Sequence, residues 1–405
     1  MNNYTYRAKK GPEEIVEGAI DARTEKEAIE KLVQQGYVPI RVVEANIRPQ
    51  AKPRAPEKRG GRVSSREVTV FSRQLAGLLK SGVPILNAIN IISEQAERPG
   101  LKAVLSDCHN AIREGATFSS TLEAYPKVFS PLYIALIRAG ENSGTLPEAL
   151  FRVAEYRIKQ EEMFSRFMMA MAYPALMALV GLGTVIFMLV FVIPRLVGIF
   201  VNMGQVLPLP TRILIFISSG LRQWWLWIVI AAVAITLLGK RQAATKAGRL
   251  FFSKLKLKLP VFGKFVLKAE LARFSRTLEL LIRSGISILK AIDVAIPVLD
   301  NEVIRGQLRK SYKDLEQGGS LGKSLKDSKL FPLFMSNLII VGEASGALDE
   351  ALSEVANAYE RDTDEMMKMM SSLLEPIMIL VMGLVVGFIV IAMLLPVFEI
   401  NVMVR

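Results

Sequence analysis

Apolar positions along the chain follow three distinct patterns. From Ser64 onward they recur at helical spacing, through Val68, Phe71, Leu75, Leu78 and Leu79, up to a Ser81-Gly82 turn. Ser64 and Glu67 stand in the positions of a capping box, which predicts a helix of about four turns beginning there. Short turns at SGVP, EGAT and ENSG, and again at SGIS, QGGS and EASG, punctuate two later stretches and predict antiparallel helical bundles. In front of these, YTYRAKK, EEIVEGAIDA, TEKEAIEKLVQQG and YVPIRVVE read as strand, strand, helix and strand over residues 1–45. Thr24 and Glu27 form a second capping box, and Gly36 closes that helix.

The third pattern is the uncharged run. Residues 167–194 and 376–398 carry no charge, and about 20 such residues suffice for a helix to cross the hydrocarbon core. A shorter run, 223–239, opens on a Trp pair suited to a membrane interface. Three transmembrane helices are expected, with 195–222 as an outer segment between the first two.

The chain also contains itself twice. Residues 71–92 align without gaps on 274–295 at an offset of 203, so that Phe71, Arg73, Ser81 and Gly82 fall on Phe274, Arg276, Ser284 and Gly285. At an offset of 202, AGENSGTLPEAL (139–150) matches VGEASGALDEAL (341–352), which pairs Glu141 with Glu343 and Gly144 with Gly346. Pro174 pairs with Pro376 and Pro194 with Pro396, so each copy joins a helical domain to a membrane helix. The two prolines of each copy are 20 residues apart, about 30 Å of helix, and are expected to mark helix ends. Two like domains on one side of the membrane require a return helix, the role left for 223–239. The expected organisation is therefore a module at 1–45, a basic Pro-rich linker at 46–62, bundles at 63–166 and 240–370, and the three spans.

Composition agrees with a membrane protein: 51% of the 405 residues are hydrophobic, yet the formal charge is +13. Arg152, Arg157, Lys159 and Arg166 precede the first span and seven basic residues from Lys240 to Lys258 follow the second. Only Arg195, Arg212 and Arg222 lie between. That bias puts the N-terminus and both bundles in the cytoplasm and the C-terminus outside, with no secretory leader expected. A single cysteine, Cys108, excludes an internal disulfide and fits a reducing compartment. The linker reads as a solvated tether that can touch anionic headgroups, and not as a nucleic-acid tail.

Candidate chemistry is sparse. GGSLGKS (318–324) resembles a phosphate loop, but its glycine spacing fails and the first copy reads GATFSST. Both stretches are better read as helix turns, stopped by Gly115 and Gly318 and capped by Thr117 and Ser320. Glu141 and Glu343 are candidate general bases or calcium ligands, or else turn and interface structure; no partner carboxylate or histidine recurs near them. The only histidine, His109, has no counterpart in the second copy. No metal, cofactor or enzymatic activity is expected. Glu375, just before Pro376, is a candidate partner for a neighbouring helix or a carboxylate favoured by a helix N-terminus. Gly383 and Gly387 form a GxxxG face suited to close helix packing.

Taken together, the N-terminal module, the twice-used F-x-R-x-L…SG and GE-x-SG-x-L signatures, the Tyr173-Pro174 and Glu375-Pro376 pairs, and Pro208 and Pro210 within LPLPT resemble one family. It is the inner-membrane platform proteins of type II secretion systems and type IV pili. Thr277 stands where the first copy has Gln74 and the family pattern Arg-Gln-Leu, a difference from which little is expected. The resemblance implies a mainly α membrane protein of the bacterial inner membrane that performs no chemistry itself. It implies a cytoplasmic hexameric assembly ATPase, pilin or pseudopilin subunits and other inner-membrane components as partners, and a homo-oligomer. Two other classes compete: a solute transporter built on a parallel repeat, whose mid-span residues here offer only Thr184, and a membrane hydrolase.

Overall fold

The computed structural model describes residues 2–10, 14–22, 24–34, 36, 38–44, 63–195, 208–260 and 262–403. Two compact units divide the chain, Met1–Arg59 and Gly60–Arg405. The proposed linker, most of the stretch around residue 200 and the last two residues lie outside the described residues.

In the first unit the order is β1 (Asn2–Lys10), β2 (Glu14–Ala22), α1 (Glu25–Gln34) and β3 (Val38–Glu44). The strands form one antiparallel sheet in the order β2-β1-β3, with a register shift at Arg7/Ala8 on the β3 side. Tyr4, Ala22 and Ala28 form its small core, joined by Ile20 and Val42. A Cβ at Gly18 would lie 2.7 Å from the Tyr6 hydroxyl on the paired strand, so any larger residue there would push that ring aside.

The second unit contains the duplication. The first copy comprises α2 (Ser65–Lys80), α3 (Ile85–Gln95), α4 (Pro99–Arg113), α5 (Phe118–Glu123), α6 (Pro131–Ser143) and α7 (Leu146–Phe187). A π turn at Met188–Val192 extends α7. Two helices follow, α8 (Leu209–Ala244) and α9 (Lys246–Lys258). The second copy repeats the series as α10 (Phe262–Arg283), α11 (Ile288–Ala295), α12 (Glu302–Glu316), α13 (Leu321–Asp327), α14 (Leu333–Ser345) and α15 (Leu348–Met403). Ser64 and Glu67 cap α2 reciprocally, at 3.2 and 2.7 Å. Phe71 and Phe274 occupy the same place in each bundle and are fully buried. The Ser81-Gly82 turn and its repeat close alike: Val83 N–H bonds Leu78 O at 3.0 Å and Ile286 N–H bonds Leu281 O at 3.1 Å, with φ of +84° at Gly82 and +79° at Gly285. These turns need glycine because a Cβ is penalised in the left-handed region.

Three expectations about the apolar runs are corrected. Pro174 and Pro376 do not end helices; they lie inside α7 and α15, each of which runs unbroken from its bundle into its apolar segment. A helix among apolar surroundings has no alternative partners for its backbone, so losing one hydrogen bond to proline is cheaper than ending the helix. Pro194 follows the π turn, where Ile193 N–H reaches back five residues to Met188 O, widening the helix where the proline ring would meet Val190 O. Pro396 lies within helical backbone as well. The third correction concerns the middle run. Its helix starts at Leu209 and not at Gln223, so Trp224 and Trp225 sit mid-helix, and half of the expected outer segment is helical.

Two helical stretches, 146–195 and 348–395, are long and apolar enough to cross a membrane. α8 would add a third if its two parts, Leu209–Trp227 and Val229–Ala244, bent by 51°, are counted as one span.

Candidate functional site: the repeat contact and the membrane entrance

The two recurring turn motifs meet in space. Glu141, near the end of α6, accepts hydrogen bonds from the backbone N–H of Phe118 at 2.6 Å and Ser119 at 3.0 Å, and from Ser119 Oγ at 2.7 Å. Glu343 does the same from α14, accepting from Leu321 N–H at 2.7 Å, Gly322 N–H at 3.1 Å and Ser320 Oγ at 2.5 Å. Each carboxylate thus plugs the N-terminus of the short helix that begins within the phosphate-loop look-alike, where free N–H groups and the helix dipole favour an anion. Thr117 and Ser320 cap the same helices through Ser120 N–H and Lys323 N–H, each at 3.3 Å. The donors that a bound phosphate would need are already occupied by the chain's own carboxylates. Gly144 and Gly346, both at φ +72°, end α6 and α14 directly behind these glutamates.

The paired arginines, in contrast, do different work. Arg276 forks onto Glu360, Nε to Oε1 at 2.9 Å and Nη2 to Oε2 at 2.8 Å, and also reaches Glu279 at 3.1 Å. At the corresponding positions of the first copy stand Ala76 and Ile158, and Arg73 is exposed. There the seam between α2 and α7 is closed by Arg157, which donates to Thr69 Oγ1 at 3.1 Å and to Ser65 O at 2.9 Å. The Arg157 guanidinium is held below its ordinary range, chiefly by burial.

Between the copies, Arg152 of α7 donates to Arg283 O at 3.2 Å and Ser284 Oγ at 3.1 Å, at the end of α10. Tyr156, one turn further along α7, sits beside Thr277, and burial raises its phenol above the usual value. Thr277 is wholly buried there, whereas its counterpart Gln74 is exposed, so that substitution marks a covered face against an open one. Arg166 lies 3.7 Å from Asp364. Where the apolar segments begin, Tyr173 donates to Glu375 Oε1 at 3.4 Å: the two members of one repeat pair touch each other. Glu375 is therefore in the interior of α15, facing the other copy, and not at a helix N-terminus. Deeper in, Gly181 lets Met382 pack against the α7 backbone, since a Cβ at 181 would stand 2.8 Å from its sulfur.

Beyond that crossing, α8 joins the pair. Leu189, Ile193, Leu214, Ile389 and Ala392 form a core shared by all three helices. Thr211 Oγ1 donates to Ala392 O and Ser218 Oγ donates to Leu189 O, both buried. Pro208 caps α8 and Pro210 lies in its first turn, setting where that helix begins against its neighbours. Sequence reasoning missed this role for Thr211 and Ser218. The signal is their seven-residue spacing on one helix face, which the expectation of an outer segment over 195–222 hides. A side chain at Gly383 or Gly387 would meet nothing within 4 Å, so the GxxxG face is open in the single chain.

Mid-span Thr184 bonds its own helix, Oγ1 to Val180 O at 2.9 Å, so its hydroxyl proton is already committed. Burial pushes the Cys108 thiol up to about 11, which leaves it protonated and unreactive at neutral pH. Among the described residues no group of three or more His, Cys, Asp or Glu side chains converges as a metal site would require.

Comparison with known proteins gives the same division of the chain. The family model described as type II secretion system protein F matches twice, over residues 71–194 and 274–396, and the model of that protein's N-terminal domain matches residues 1–43. The chain is 35% identical over 401 residues to the type IV pilus assembly protein PilC of Thermus thermophilus, covering 99% of this chain and 98% of that one. It is 32% identical over 404 residues to the type II secretion system protein F of Vibrio cholerae, covering 99% of both. A type II secretion system protein F of Pseudomonas aeruginosa is 32% identical over 391 residues, 95% of each chain. With both bundles, both long apolar helices and the N-terminal unit matched in order, the chain belongs to the type II secretion protein F family, which includes the PilC proteins of type IV pilus assembly.

Proposed function

We propose that this protein is the inner-membrane platform of a type IV pilus or type II secretion machine, coupling a cytoplasmic hexameric assembly ATPase to the passage of pilin or pseudopilin subunits from the bilayer into a filament. The observation that carries this reading is the continuity of α7 and α15, each a single helix that belongs to a bundle at one end and to an apolar segment at the other. A partner that moves a bundle would move the membrane end with it. Residues 63–166 and 240–370 would be the cytoplasmic docks; the N-terminus would share that side, and the C-terminus would lie in the periplasm. The chain would carry out no reaction of its own, would self-associate, and would contact other inner-membrane components and lipid. The names of the relatives, pilus assembly and secretion system proteins, support membership in such a machine.

The test is reconstitution of the full chain in lipid nanodiscs with purified assembly ATPase from the same cell, following binding and ATP turnover together. Binding, with turnover that requires the ATPase and none from the platform alone, is the expected result. No binding under any nucleotide condition overturns the reading.

A further inference from the structure

The short helix α9 lies outside the duplication: the repeated family match covers 71–194 and 274–396, so the architecture shared by the two bundles does not call for Lys246–Lys258. Its surroundings are one-sided in charge. No acidic residue occurs from 163 to 269, and nine basic residues fall between Lys240 and Lys268.

The fold fixes which face of α9 turns inward. Only Thr245 separates it from α8, and the Thr245 hydroxyl caps it by accepting from Gly248 N–H at 3.1 Å. A Cβ at 248 would stand 2.0 Å from Gln242 O, so this elbow is closed on glycine. Further along, Ser253 O accepts from Asn301 Nδ2 at 3.2 Å and Ser253 Oγ accepts from Glu302 N–H at 3.1 Å, which fastens that side of α9 to the start of α12. On the opposite side Phe251 (64% exposed), Leu255 (46%) and, just past the helix end, Leu259 (46%) recur every four residues and form an open apolar strip. Lys254 and Lys258 edge the strip on one side and Lys256 on the other. Arg249 has Glu302 within 4.0 Å, but among the described residues none of these three lysines has a carboxylate so near.

An exposed apolar strip between lysines is the pattern of a helix lying in the plane of a bilayer surface, its apolar side in the acyl boundary and its ammonium groups among the headgroups. Position agrees. The uncharged run of α8 ends at Lys240, and α9 begins six residues later, about 9 Å along a helix and within reach of the headgroup layer. An acidic protein surface would satisfy the lysines, but the strip between them and the direct continuity with an apolar helix favour lipid.

We infer that α9 is a binding surface for anionic phospholipid: Phe251, Leu255 and Leu259 enter the cytoplasmic leaflet, and Lys254, Lys256 and Lys258 take its phosphate groups. Because α9 is fastened to α12, this contact ties the second bundle to the bilayer at a second point besides α15 and makes its attachment depend on leaflet charge. The inference rests on the cytoplasmic placement of the bundles in the proposed function and adds the surface through which the second bundle meets the leaflet.

The test places the full chain, carrying a bimane label at Leu255→Cys with buried Cys108 left in place, in nanodiscs of phosphatidylcholine alone or mixed with phosphatidylglycerol. Both contain a lipid with a nitroxide on its headgroup. Quenching of the label several-fold stronger in the phosphatidylglycerol discs is expected. Lys254→Gln, Lys256→Gln and Lys258→Gln together, with a thermal melt matching the parent, are expected to lower it to the phosphatidylcholine level. Equal quenching in the two bilayers, or quenching that the three substitutions leave unchanged, overturns the inference. A label shielded only after the assembly ATPase is added overturns it too, because the face would then hold a protein. ATPase binding is read in the same discs: if it is absent while the charge-dependent quenching persists, the platform reading fails and the lipid surface stands, and the reverse result separates them the other way.

Discussion

At the scale of single residues, the most informative side chains are Glu141 and Glu343. Each satisfies two backbone N–H groups and a hydroxyl at a helix N-terminus contributed by a different motif. Replacing either with alanine is expected to destabilise its bundle by about 2 kcal/mol, the loss of a charge-assisted cap, without altering metal content. Thermal unfolding in detergent, with and without calcium, checks both parts. Glu270 supplies a pH dependence. Burial raises its carboxyl above the ordinary range although both oxygens accept from Asp300 N–H, at 3.2 and 3.0 Å. A raised acid contributes stability that is fully present below its unfolded value and is lost as pH rises through the folded one. Glu270→Gln should therefore melt higher than the parent at neutral pH, and the difference should shrink as pH falls through the carboxylate range. The glycine turns and caps were legible in the sequence because their demand is local: a left-handed φ or an orphan N–H asks for one residue type. The partners of Glu141 were not, since Phe118 and Ser119 are more than twenty residues away and only folding brings them there.

At the scale of elements, duplication made the two bundles readable and concealed how they differ. Phe71 and Phe274 play one part, but Arg73 and Arg276 do not, because Ala76 and Ile158 replace the carboxylates that hold Arg276. Proline was the other obstacle. Pro174 and Pro376 carried the ordinary soluble-protein signal for a helix boundary, which apolar surroundings overrule. The start of α8 was missed for a related reason: its first turns are less apolar than a span, and only their packing on α7 and α15 makes them one helix. Thr211→Val and Ser218→Ala are each expected to weaken that three-helix contact by about 0.6–2 kcal/mol, the range for hydrogen bonds between membrane helices. Steric-trap unfolding in bicelles, or the detergent concentration needed to inactivate the protein, would measure it; no change in either variant would show that the bonds are redundant with the apolar packing.

At the scale of the whole molecule, no flexible connection intervenes between bundle and apolar segment in either copy. α7 runs for 42 residues and α15 for 56, about 63 Å and 84 Å of uninterrupted helix. Phe167 and Met168 lie on the exposed surface of α7 near the changeover. Converting both to glycine preserves length and phase while weakening the helix by about 1 kcal/mol at each position relative to alanine. Under the proposed function, the double glycine chain is expected to reach the membrane and bind the assembly ATPase yet support filament assembly poorly, whereas the double alanine chain should support it normally; equal filament yields would show that stiffness there is irrelevant. An unbroken helix behaves as a drive shaft. With no hinge loop to take up a turn, such a helix passes the angle it receives at the bundle end on to its apolar end, so in the proposed machine the stroke would be geared close to one to one.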